Sequence, residues 1–145
     1  MDSNDRLDDR QVPISRERIA GCALAVLVAL FSGITAALET EPAKERMAQD
    51  LLDCMAYYSH QSKANERDGF EASRYARAAD SALILAQVYL ADSKKLEPMT
   101  ALSRAEIGKV ALDRGGAWLM LNYAYPCKTW LENPAARMQY WLDKR

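Results

Sequence analysis

The sequence predicts an all-α protein: a small up-and-down bundle of about four helices, following an N-terminal signal peptide or membrane anchor and held by one disulfide. Three observations carry that expectation. Apolar residues recur at helical spacing beyond residue 40, with no sustained two-residue alternation or β-branched enrichment. An uncharged run occupies Ile19 to Leu38, and two of the three cysteines, Cys54 and Cys127, lie beyond it.

The N-terminal segment sets the compartment. Arg16 and Arg18 precede the apolar stretch Ala23 to Phe31, and Thr35-Ala36-Ala37 supplies small residues where a signal peptidase reads, so cleavage is expected after Ala37. Residues 1–37 then form a tail and signal peptide, and residues 38–145 a single helical exported domain. The competing reading is an uncleaved signal anchor, because twenty uncharged residues just span a bilayer and the arginines would hold the tail in the cytoplasm. Both readings export residues 39–145, to the periplasm or outside the cell, either free or anchored to the inner membrane. Ile19-Ala20-Gly21-Cys22 mimics a lipoprotein signal but precedes the apolar stretch, so no lipidation is expected at Cys22. The acidic opening, with Asp2, Asp5, Asp8 and Asp9, departs from a signal peptide's basic start and is explained either by initiation at Val12 or by a cytoplasmic tail.

In an oxidising compartment the remaining pair, Cys54 and Cys127, is expected to form a disulfide. Closing so long a loop stabilises a fold by roughly 4 kcal/mol in the chain-entropy model. No Cys-x-x-Cys occurs, which argues against a redox or zinc site.

The first helix is expected from near Pro42, capped by Thr40 or Glu41, to about Ser62, burying a stripe of Met47, Leu51, Cys54, Met55 and Tyr58. In the pair Tyr57-Tyr58 only Tyr58 shares that stripe. Polar residues from Ser62 to Gly69 read as a loop. The second helix, about Phe70 to Ser93, carries a seam of Ala72, Ala76, Ala79, Leu83, Ala86 and Leu90. Lys94 to Pro98 reads as a break, and the third helix starts either at Pro98 or from a capping box of Ser103 and Glu106. Gly115-Gly116 interrupts it as a kink or packing site. A turn is expected after Tyr125-Pro126-Cys127. The last helix follows, capped by Asn133 with Pro134 as its first residue, or by a box of Thr129 and Glu132, and carries Met138, Trp141 and Leu142.

Charge narrows the function. Residues 38–145 hold fifteen acidic and fifteen basic side chains, interspersed, which argues against nucleic acid and leaves membrane contact to residues 19–38 alone. No catalytic, cofactor-binding or metal-binding residue set is identified, and no cofactor is expected. His60 is the only histidine, so a two-histidine metal site or proton shuttle within one chain is excluded; Asp53, seven residues earlier, would be its partner as a lone general base. Paired carboxylates such as Asp50 and Asp53 read as exposed positions near a helix start. The serines lack a glycine-flanked elbow, and the glycines fit no phosphate or dinucleotide loop.

One concentration stands out. Trp118, Tyr123, Tyr125, Trp130, Tyr140 and Trp141 lie in the last twenty-eight residues, and such side chains dominate binding hot spots, although they equally fill a core around a disulfide. The leading expectation is therefore a non-enzymatic envelope protein that binds another protein or a wall component, of the build of inhibitors, immunity proteins and lysis regulators. The alternatives are a small hydrolase or lyase of envelope polymers using carboxylates, and a small-ligand carrier.

Overall fold

Every helix after the first is tied to the first, and that relation organises the fold. The computed structural model describes the backbone of residues 17–144 and the side chains from Thr40 to Lys144. The expected signal peptide or anchor, its cleavage site, Cys22 and the acidic opening lie outside the residues whose side chains are described. Among the described residues no helix is long and apolar enough to cross a membrane. The chain forms two compact units, Met1–Leu38 and Glu39–Arg145; the second is described here.

Five helices and no strand occur among the described residues: α1 (Glu17–Ala64), α2 (Gly69–Tyr89), α3 (Ser93–Arg114), α4 (Gly116–Glu132) and α5 (Pro134–Asp143). The protein is all-helical with one disulfide. Helix α1 is its centre. The expected stripe is buried, yet so are Ala48, Leu52, Ala56 and Tyr57 between its members, and Tyr57 is better buried than Tyr58. A helix apolar on all sides is surrounded by others, and here four neighbours do so. Ser62 Oγ donates to Ala72 O in α2, Ser103 Oγ of α3 donates to Asp53, Cys127 of α4 is bonded to Cys54, and Arg137 of α5 pairs with Asp50.

Caps and breaks fall in places the sequence marks only partly. Asp68 accepts from the backbone N–H groups of Phe70 and Glu71 at 3.2 and 3.1 Å to start α2, and Asp92 accepts from Lys94 N at 3.0 Å to start α3. The break between these helices is thus Leu90 to Asp92, and the expected break at Lys94 to Pro98 is helical, with Pro98 inside α3. Asn133 caps α5 through Ala136 N at 3.2 Å, with Pro134 opening the helix as expected.

The expected third helix is two helices. Gly115 has φ +82° and ψ 164°, a conformation essentially confined to glycine, and it closes α3 as it opens α4. Helix α4 then runs straight through Pro126, where a turn was expected. An interior proline lacks one helical hydrogen bond and strains the preceding turn by about 3 kcal/mol, but α4 is held on both sides of it. Tyr123 stacks on Tyr57, with centroids 5.8 Å apart, and Cys127, directly after the proline, is covalently fixed to α1. Pro42 likewise lies inside α1.

The expected seam of α2 holds in its second half, where Ala79, Ala86 and Leu90 are buried and Ala82 joins them, while Ala76 is exposed. The small alanine side chains allow close packing there.

Candidate functional site

The cysteine pair fixes the frame of the site. Cys54 and Cys127 are both fully buried and bonded, with Cα atoms 5.3 Å apart across a separation of 73 residues. The bond welds the middle of α1 to the middle of α4, which determines what α4 shows to solvent.

Inward, α4 presents Leu119, Tyr123 and Cys127. Outward, it presents apolar residues that no described residue covers: Leu121 is 83 % exposed, Tyr125 77 % and Met120 50 %. Met120 also enters an open groove of about 320 Å³ whose aromatic wall is Tyr57, Tyr58 and Tyr75, with Arg74 and Lys128 at its edges. The Tyr58 and Tyr75 rings stack at 6.2 Å, and the Arg74 guanidinium lies 5.1 Å from the Tyr75 ring centre. Burial pushes the Tyr57 phenol up to about 12, with the neighbouring phenols of Tyr75 and Tyr58 adding to the effect, and burial also raises Tyr58. Both therefore stay neutral at physiological pH, so the groove is aromatic and polar-edged with cations flanking it, a surface suited to binding.

The six aromatic residues marked by sequence separate into three groups. Tyr125 alone stands fully on the exposed stripe. Tyr123 and Trp118 turn inward, with ring centres 6.5 Å apart, and the Arg114 guanidinium lies 5.4 Å from the Trp118 ring. Trp130, Tyr140 and Trp141 surround Arg137, whose guanidinium lies 4.3, 4.5 and 4.7 Å from their ring centres. Arg137 Nε and Trp141 Nε1 both donate to Asp50 Oδ2, at 2.7 and 2.6 Å. This cage latches α5 onto α1 with most of the ion pair withdrawn from water.

No family model, curated protein or solved structure matches the chain. The chemistry must accordingly be read from its own residues. Asp50 and Asp53, expected to be exposed near a helix start, instead sit part-buried in mid-helix. Asp53 Oδ1 accepts from Ser103 Oγ at 2.7 Å and from Gln49 Nε2 at 2.9 Å. Burial raises its carboxyl above the usual range, more than the Ser103 and Gln49 hydrogen bonds lower it. The expected Ser103 and Glu106 capping box does not form, because Ser103 is fully buried inside α3 on this bond. Asp53 is thus committed to Ser103 and Gln49, and Asp50 is likewise committed to α5. Among the described residues no group of three metal-ligating side chains converges.

Sequence reasoning missed Leu121, Met120, Tyr57, Tyr58 and Tyr75 as members of one face. Only Tyr125 had a readable signal. The others come from three helices, and their convergence depends on the weld between Cys54 and Cys127.

Proposed function

We propose that this chain is an exported binding protein, an up-and-down helical bundle that engages a protein or wall component of the cell envelope along the α4 stripe and its adjoining tyrosine groove. The observation that carries this reading is the exposure of Leu121 and Tyr125, one turn apart, with Met120 beside them, on a helix clamped by a disulfide. Exposed apolar patches mark interaction surfaces, and a rigid helix presents them with little loss of conformational freedom on binding. A disulfide is compatible with the oxidising side of a membrane. The apolar run at residues 19–38 supports delivery there, free or anchored.

Photo-crosslinking in the natural host tests this reading. A photoreactive residue in place of Tyr125 should give one discrete crosslinked species, and Leu121→Asp should abolish it. The same probe at exposed Lys94, on α3, should give none. Equal crosslinking at both positions, or none at position 125, overturns the proposal.

A further inference from the structure

A second groove, of about 400 Å³, lies between α1 and α3, on residues separate from the α4 stripe. Its polar lining is Ser59, His60 and Lys63 from α1 with Arg104 from α3, and no carboxylate lines it. Among the described residues neither Lys63 nor Arg104 has an acidic partner. Two cations in a groove that no carboxylate lines are a local excess of positive charge.

Two further observations describe its lining. The Ser59 hydroxyl and Arg104 Nη2 both lie near the sulfur of Met55, at 3.6 and 3.9 Å. A thioether is a weak acceptor, so a stronger acceptor entering the groove can take both donors. Gly108 also lines the groove, in the middle of α3. A Cβ built at Gly108 meets nothing within 4 Å, so that side of the groove is free of any side chain.

We infer that this groove binds a phosphate group, with Arg104 and Lys63 neutralising it and Ser59 and His60 donating to its oxygens. Paired cationic and hydroxyl donors match a tetrahedral oxyanion, and the volume leaves room for the body that carries the phosphate, whether a soluble ester or a lipid headgroup.

The test uses the full chain, ¹⁵N-labelled, in neutral detergent micelles. It is titrated with glycerol 1-phosphate at constant ionic strength against sodium chloride, and in parallel reconstituted in phosphatidylcholine nanodiscs with and without phosphatidic acid. Saturable amide shifts at residues 59, 60, 63, 104 and 108 with glycerol 1-phosphate support a soluble ester. Shifts at those residues that require phosphatidic acid, with none from glycerol 1-phosphate, support a headgroup. Lys63→Gln with Arg104→Gln should weaken either response about tenfold or more, and Gly108→Leu should block it by filling the groove. Arg77→Gln with Lys94→Gln, which removes two cations from elsewhere, should leave it unchanged. Failure of both probes, or equal loss in the two double variants, overturns the inference. Neither result bears on crosslinking at position 125.

Discussion

Replacing both Cys54 and Cys127 by alanine removes the one covalent tie between α1 and α4. The two residues are 73 apart in sequence, and in the chain-entropy model a loop of that size contributes about 4.4 kcal/mol at 25 °C by restricting the unfolded chain. Both sulfurs are fully buried, so truncation to alanine adds a smaller packing loss of the same sign. For a unit of about a hundred residues each kcal/mol is worth roughly 4–8 °C, so Tm should fall by about 18–35 °C. Far-UV circular dichroism against temperature and urea measures it, and reduction of the wild-type protein should reproduce most of the drop. A fall of less than about 5 °C would refute the reasoning, since it would mean that the tie restricts little of the unfolded chain.

The remaining predictions follow from single side chains. Asp50→Ala should destabilise by about 2–3 kcal/mol, because it strands the Arg137 guanidinium and Trp141 N–H it accepts from; urea titration followed by tryptophan fluorescence reads it. Asp53→Asn should be more stable than wild type at pH 7. The wild-type carboxyl is raised from 3.8 by burial, so its favourable contribution is present below pH 3.8 and is lost as pH rises through the folded value. The advantage of the variant should therefore vanish near pH 3, and an advantage that persists there would contradict the assignment. Gly108 inside α3 and Gly115 at its end should respond with opposite signs. Gly108→Ala should raise stability by about 1 kcal/mol through helix propensity, while Gly115→Ala should lower it by about 1–3 kcal/mol because φ +82° with ψ 164° is denied to alanine. Thermal melts of the two variants decide it.

What could be read from sequence follows the range of the physics involved. Helix type is local, so the spacing of apolar residues revealed it, and Asn133-Pro134 revealed a helix start because both cap and first-turn preferences act within three residues. The disulfide was legible by elimination, since removing Cys22 with the signal left one pair. Prolines misled. Pro98 and Pro126 read as breaks because their cost is local, while the contacts that hold α3 and α4 across them come from α1. A single stripe on α1 was expected because periodicity shows which face is most apolar. It does not show that Tyr57 and Ala48, off that stripe, would find partners too. The roles of Asp50 and Asp53 were least legible, for their hydrogen-bond partners stand about 50 to 90 residues away and nothing near them in sequence announces it. The tyrosine groove was hidden for the same reason, since Tyr58, Tyr75 and Met120 share a surface only after three helices assemble.

The central claim, an exported helical domain closed by Cys54 and Cys127, is tested most directly by intact mass on protein from the envelope fraction of the natural host. The protein is alkylated in urea before and after reduction, so that burial does not shield the thiols. The predicted result is no adduct at Cys54 or Cys127 before reduction and both adducts after it, on a chain beginning at Leu38 or retaining its anchor. Two adducts on those cysteines before reduction would contradict it.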